Sequence, residues 1–439
     1  MLKTLVGAFK NKDIRKKILY TLMILVIVRV GSLLPIPGVD TEYFSSLLSG
    51  INTGDLSYLS AFTGGSFERM SLFALSITPY ITSSIIMQLL AIAIPKLEEM
   101  QKEGEDGRKK IAAITRYVTI ALALIESIAM AVGFGRSGLI KGYQGFSTLH
   151  YIVSIIVVVA ALTAGSAMLM WLGERITENG VGNGISIVLL INIISGMPSD
   201  FATLYSTFVA PRTIAKGVLA AAIIIAILVV MVVLVCFLQD GERRIPVQYS
   251  QKVSGRKTFG GQSTNIPLKV NTAGVMPVIF ASSLMQFPVI IAQLFGTSYE
   301  WTRSLSSSYW CRISAPKYSI GLILYIVLLI IFAYFYTSIT FNPIEVADNL
   351  KKAGGVIPGI TPGKSTSDYL NNILNYIVFV GAVGLLIIAL IPIMCTGFFN
   401  ASVSFGGTSV IIIVGVVLET LKQIESQMVN RYYKGFLSE

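Results

Sequence analysis

Residues able to carry bond-making chemistry are few and scattered in this chain. His150 is the only histidine, which nearly excludes histidine-based metal or triad chemistry. Cys236, Cys311 and Cys395 lack paired spacing, and Cys236 sits inside an apolar run, so no disulfide framework or metal site follows. Gly180-Val-Gly-Asn-Gly-Ile185 is glycine-rich, but it follows an apolar run with no strand before it, which argues against a dinucleotide fold. Gly363-Lys364-Ser365 imitates the end of a phosphate loop, yet position 358, where such a loop needs glycine, is Pro358. Arg29 and Glu126 lie in or beside apolar runs, where ionisable groups are costly and often functional. Arg29 is placed to snorkel to an interface; Glu126 has no second carboxylate near it in sequence to support proton coupling. The chain is expected to run no reaction and to carry no cofactor or metal.

What remains is the chemistry of apolar surfaces, hydroxyls and basic loops, and the elements that must present them are membrane spans. The 439 residues are 54% hydrophobic and 13% charged, with mean hydropathy +0.72, against about 25% charged for a soluble chain. The apolar runs do not alternate as barrel strands do. A spanning helix needs roughly 20 mostly apolar residues, and ten windows qualify: 18–34, 71–95, 117–135, 150–172, 185–198, 217–238, 270–295, 318–340, 370–392 and 407–421. Two of them, 185–198 and 407–421, fall short, as spans that line a cavity often do. The basic arm before the first run resembles a signal peptide, but that run is long and leads into Pro35-Ile36-Pro37-Gly38 with no small-residue cleavage site. It is expected to be a retained arm and first span.

Ten spans place both termini on one side. If that side is cytoplasmic, it holds 25 of the 34 Lys and Arg residues and the outer side holds eight, a positive-inside bias that also accounts for the formal net charge of +11. The expected organisation is a cytoplasmic amphipathic arm (1–17), a first half with spans one to five (18–198), a second half with spans six to ten (199–421) and a cytoplasmic tail (422–439). An odd number of spans per half inverts the second relative to the first, and inverted repeats put the working site between the halves. Segment 54–70 is too short to cross and too apolar for an ordinary loop; it reads as a half-inserted helix ended by Gly64-Gly65 or as an interfacial helix on the outer surface. Pro79 and Pro277 are expected to kink or interrupt spans two and seven.

Several segments, in order and at fitting intervals, resemble the SecY family. They are Arg29-Val-Gly-Ser-Leu-Leu-Pro-Ile-Pro-Gly38, Phe73-Ala-Leu-Ser-Ile-Thr-Pro-Tyr-Ile81, Lys102-Glu-Gly-Glu-Asp-Gly-Arg-Lys-Lys110 and Trp171 through Ser186. Gln262-Ser-Thr, Pro267-Leu-Lys-Val-Asn271, Ala273-Gly-Val-Met-Pro277, Phe341-Asn-Pro, Ala347 through Lys352 and Phe405-Gly-Gly-Thr-Ser409 complete the set. The resemblance implies an all-α integral membrane fold: ten transmembrane helices in two inverted five-helix halves around a central hourglass pore. It implies a passive conduit for unfolded secretory chains in the bacterial plasma (inner) membrane, with a sideways exit for hydrophobic segments.

By that resemblance a pore ring is formed by Ile77, Ile81, Ile185, Leu189, Ile279 and Ile412. The first two pairs are spaced i, i+4 and so share a helix face. A narrow aliphatic ring resists wetting and ion flow; ordinary bundle packing is the plain alternative. A plug of about 55–67 (Leu56, Tyr58, Leu59, Phe62, Gly64, Gly65) would fill the outer funnel. A lateral gate would lie between span two (Thr82, Ser83, Gln88), span three (Thr119) and span seven (Asn271, Thr272, Ser282, Ser283, Gln286, Phe287), where small hydroxyl residues let helices approach. The long loops 239–269 and 341–369 carry Arg243, Arg244, Arg256, Lys257, Lys351, Lys352 and Lys364. The resemblance makes these loops docking sites for the SecA motor ATPase or a ribosome with its nascent chain; enforcing topology and binding anionic membrane lipid is the alternative. SecE and SecG subunits, signal peptides and secretory preproteins are the further partners it implies. Thr361 departs from the pattern: relatives commonly have Arg there, and Thr lacks the guanidinium fork. A small-solute transporter is also built on inverted repeats, but it needs polar ligands at the midplane, where the expected bottleneck is aliphatic.

Overall fold

The computed structural model describes residues 9–44, 63–134, 148–211, 214–249, 252–254, 257–259, 263–294, 300–306, 310–311, 316–399 and 407–435. Ten long helices appear where the ten apolar windows lie: α1 Lys12–Leu33, α2 Thr78–Ala93, α3 Glu105–Phe134, α4 Thr148–Asn179, α5 Gly184–Leu204, α6 Ile214–Asp240, α7 Met276–Leu294, α8 Ile320–Thr340, α9 Lys364–Phe399 and α10 Gly407–Gly435. Among the described residues, six helical stretches are long and apolar enough to cross a membrane by length and composition alone, and a bent pair, Thr78–Ala93 with Pro95–Gln101, brings that to seven. The two windows that look short extend in three dimensions. α5 runs 21 residues, accommodates Pro198 and continues into a π-turn at Tyr205–Val209; α10 runs on well past residue 421.

Local chemistry explains the helix ends. Asn11 caps α1, its Oδ1 accepting the Asp13 amide at 3.2 Å, and Leu34 is extended because Pro35 follows. α2 ends at Ile94 for the same reason, and the chain turns by 106° into the short helix Pro95–Lys102. Asn183 caps α5 by accepting from the Ile185 and Ser186 amides. Pro79 and Pro277 sit in the first turns of α2 and α7. A missing N–H costs nothing in a first turn, so these prolines open their helices and do not kink them.

The helices form two five-membered units with matching packing. In the first, α1 packs on α4 and α5, α3 on α2 and α4, and α4 on α5. In the second, α6 packs on α9 and α10, α8 on α7 and α9, and α9 on α10. Adding five to each helix number of the first unit reproduces the second, the signature of an internal repeat. The principal contacts between units are α3 with α7 and α5 with α10. Ile14 near the start of α1 packs with Val181 and with Ile424 of α10, and Lys422 of α10 pairs with Asp240 at the end of α6 at 2.6 Å. The start of α1 and the later turns of α10 therefore lie at the end that carries the basic loops.

Those loops fold into strands. β1 Glu242–Tyr249 pairs antiparallel with β4 Ser263–Lys269 along its length, and with β5 Gly355–Val356 at Gln248 and Tyr249. β2 Lys252–Ser254 and β3 Lys257–Phe259 make a small hairpin. Ile245 and Val247 alternate with exposed neighbours on β1, as a strand with one covered face must. They share an apolar cluster with Leu268, Leu350, Ile357 and Leu370. This cluster welds loop 239–269 to loop 341–369 and to the start of α9.

Candidate functional site

All six expected ring residues fall in one large apolar cluster drawn from helices of both units. Ile77, Leu189, Ile279 and Ile412 are buried at 1%, 4%, 7% and 0% exposure, and Ile81 and Ile185 pack against them partly buried. None points outward toward lipid. Ile77 caps α2, Ile185 and Leu189 lie one turn apart on α5, Ile279 is in the first turn of α7 and Ile412 is in the second turn of α10.

A cavity of about 320 Å³ opens at the end that carries the basic loops. Its walls are polar there: Asn183, Ser186, Gln239, Lys269, Glu419 and Lys422 contribute. Leu189, Ile279 and Ile412 line it too. At 1.5 Å per helical residue, Ile412 lies roughly 15 Å along α10 from Lys422, and Leu189 roughly 9 Å along α5 from Asn183. The space thus runs from a hydrated mouth to an aliphatic floor. An aliphatic floor offers no hydrogen bond to water or ions, so it excludes both unless something wider forces it apart.

From the other end, residues 63–77 reach the ring as irregular backbone before α2 begins. Such backbone is tolerated at membrane depth only when protein covers it, and Thr63, Ser66, Met70, Ser71, Phe73 and Ser76 are all buried. Its polar groups are satisfied by neighbours: the Ile36 amide donates to the Met70 carbonyl at 3.1 Å, the Leu72 amide to the Leu34 carbonyl at 2.9 Å, and the Ser71 amide to the Ser66 carbonyl at 3.0 Å. Ser76, next to Ile77, has φ +53, a left-handed conformation costing a non-glycine residue roughly 1–2 kcal/mol. Asn192 of α5 holds it, donating from Nδ2 to Ser76 Oγ at 3.1 Å. Sequence reasoning missed Ser76 and Asn192; the one available signal was an Asn inside an apolar run.

Of the expected plug, Leu56, Tyr58, Leu59 and Phe62 lie outside the described residues. Gly64 and Gly65 have φ +62 and +78, where glycine carries no steric penalty. The Gly64 carbonyl accepts from Ser195 Oγ at 3.4 Å, and a Cβ on Gly64 would meet Ser195 Oγ at 2.6 Å and the Asn192 carbonyl at 2.7 Å. This segment therefore rests directly on α5.

The expected gate residues mostly satisfy their own helices. Thr82 donates to the Thr78 carbonyl, Thr119 to Thr115, Ser282 to Val278 and Thr272 to Lys269. Asn271 Nδ2 donates to the Gly274 carbonyl, and Gln88 Nε2 to Ser84 Oγ at 3.4 Å. Ser83 reaches another helix, donating to the Thr115 carbonyl of α3 at 2.9 Å. Ser283 is half-buried, and the side chains of Gln286 and Phe287 lie outside the described residues. None of these bonds joins α2 or α3 to α7.

Of the expected docking residues, Arg243 and Arg244 are exposed on β1, Arg244 pairing with Glu242 at 2.7 Å. Lys351 and Lys352 are exposed in the last turn of the helix Pro343–Lys352, where basic residues complement the helix dipole. Thr361 is exposed, its carbonyl accepting from Thr366 Oγ1, and Lys364 opens α9. The β1–β5 pairing and the shared apolar cluster join the two loops that carry these residues. Arg256 and the side chain of Lys257 are outside the described residues.

The SecY family model matches residues 71–421. The chain belongs to the SecY family. Over its full length it is 44% identical to the protein translocase subunit SecY of Streptomyces galbus and 42% identical to that of Halalkalibacterium halodurans, each relative being covered completely. Its fold is similar to that of a solved protein-conducting channel (TM-score 0.62, 18% identity, 94% of this chain and 93% of that chain). It is also similar to the canine ribosome-bound Sec61 channel (TM-score 0.60, 18% identity, 94% and 93%). Like other SecY proteins, the chain is a multi-pass membrane protein and a protein-conducting translocation channel; it is not an enzyme.

Proposed function

We propose that unfolded secretory polypeptides pass through the aliphatic ring between the two units, entering from the polar cavity at the end that carries the basic loops. That end faces the cytoplasm, as the concentration of Lys and Arg requires, so both termini are cytoplasmic. The observation that carries this reading is the convergence of Ile77, Ile81, Ile185, Leu189, Ile279 and Ile412 in one cluster, with three of them lining the cavity. The ring gives a passing polypeptide no hydrogen-bonding partner, so chains of any sequence slide by, and it closes on itself when empty. The segment ending at Gly64-Gly65 acts as the plug beyond the ring, a reading supported by its seat on α5. The α3–α7 seam is the sideways exit, supported by its place as one of the principal contacts between the two units. Energy comes from partners: the joined basic loops suit SecA or the phosphates of ribosomal RNA, and SecE and SecG complete the complex.

A cysteine at position 189 tests the path. In proteoliposomes supplied with the motor ATPase and a secretory precursor, modification of Leu189→Cys by a bulky maleimide should block translocation. The same treatment of Val417→Cys, at a position 41% exposed on α10, should not. Equal translocation by both modified variants would remove Leu189 from the path.

A further inference from the structure

Among the described residues, two arginines at the outer end of the first unit pair with no anion. Arg29 lies one turn before the end of α1. Leu34–Ile36, just beyond that end, is stitched to Met70–Leu72 by a Pro35–Ser71 bridge and backbone hydrogen bonds. This brings Arg69 within electrostatic reach of Arg29. Among the described residues neither makes an ion pair or hydrogen bond, and the Nη1 atom of Arg29 is buried with no acceptor. Glu68, the next residue along the chain, pairs with neither. Two adjacent guanidiniums repel, and a buried cationic N–H without an acceptor is costly. The arrangement becomes favourable when an anion sits between them.

The surroundings select the kind of anion. Val26, Val30 and Leu33, around Arg29 on α1, are 63%, 53% and 52% exposed, as residues that face lipid tails are. The basic-loop end of the chain lies at the opposite end of α1, so the pair stands in the outer leaflet. A guanidinium fork matches a phosphate by two parallel hydrogen bonds. We propose that Arg29 and Arg69 form a site for the phosphate of an anionic phospholipid in the outer leaflet, its acyl chains lying along the exposed aliphatic face of α1. A lipid held there would rest on the strands of backbone that lead from α1 to residues 63–77, and so would brace the outer approach to the ring.

Native mass spectrometry of the intact channel complex titrated with phosphatidylglycerol tests this. One phosphatidylglycerol should bind the unaltered complex more tightly than Arg69→Gln by about tenfold, the loss of one charge-assisted contact. Arg69 is exposed, so this variant leaves the fold intact. Arg29→Gln/Arg69→Gln should abolish the tight binding, Arg69→Lys should retain part of it, and Lys216→Gln, at an exposed position on α6, should leave it unchanged. Excess inorganic phosphate should not displace the lipid. Equal phosphatidylglycerol binding by the unaltered and doubly substituted complexes would overturn the site. Displacement by inorganic phosphate alone would overturn its assignment to lipid.

Discussion

Substituting Gly64 with alanine isolates the contact that seats the plug. Its φ of +62 places an alanine in the left-handed region at roughly 1–2 kcal/mol. The new Cβ would also meet Ser195 Oγ at 2.6 Å and the backbone carbonyl of Asn192 at 2.7 Å. A side-chain hydroxyl can swing away, but a helical carbonyl cannot, so overpacking adds about 1–3 kcal/mol. The sum, about 2–5 kcal/mol, favours moving the segment off α5 by roughly 30-fold to several thousand-fold at 1.4 kcal/mol per factor of ten. Gly65→Ala is the matched control. Its φ of +78 carries the same conformational cost, but no atom lies within 4 Å of its Cβ, so the shift is only about 5- to 30-fold. Ion conductance of single channels in planar bilayers, without any translocating chain, reads the difference. Gly64→Ala should conduct far more often than Gly65→Ala, and Gly65→Ala slightly more often than the unaltered channel. If Gly64→Ala and Gly65→Ala open with equal frequency, the contact with Asn192 does not hold the plug.

Asn192→Leu removes the donor that holds Ser76; releasing the strained turn beside Ile77 should cost about 1–3 kcal/mol of thermal stability and raise resting conductance, measured by a melting curve and by the same bilayer assay. Ser83→Ala removes a cross-helix bond of the expected gate set, which joins α2 to α3 on the same side of the seam; it should cost about 0.6 kcal/mol and leave the rate of membrane insertion of a hydrophobic segment unchanged. Thr361→Arg, at an exposed site, should alter stability by less than about 0.5 kcal/mol while strengthening motor binding by up to about tenfold, read as the precursor-stimulated ATPase rate.

The ten spans were legible because a membrane helix must bury its own backbone polar groups under a long apolar run, and every such run became a helix. The repeat was legible only as parity; the matching of α1–α4 to α6–α9 emerges from packing that no stretch of sequence repeats. The start of α2 was misplaced at residue 71, since Phe73, Ala74 and Leu75 are as apolar as any helical stretch. What breaks the helix there is tertiary: Ser76 is held left-handed by Asn192, and the backbone on either side bonds to the segment after α1. The two sheets were missed because β2, β3 and β5 are two or three residues long and β1 is rich in charge; the stability of the three-stranded sheet comes from Leu350 and Leu370, far along the chain. Thr82, Thr119 and Ser282 bond within their own helices, because a Ser or Thr in a helix finds the carbonyl four residues back more readily than one across a seam.

The central claim is that the ring is where the polypeptide goes, and crosslinking tests it most directly. A photoreactive residue is placed at Ile412, buried in the cluster, or at Val417 on the outward side of α10, in membranes that carry a stalled secretory chain. Adducts to the stalled chain at position 412, with none at 417 and none at 412 without the chain, are the expected result. Adducts at 417 with none at 412 would contradict the account, because the polypeptide would then run outside the bundle.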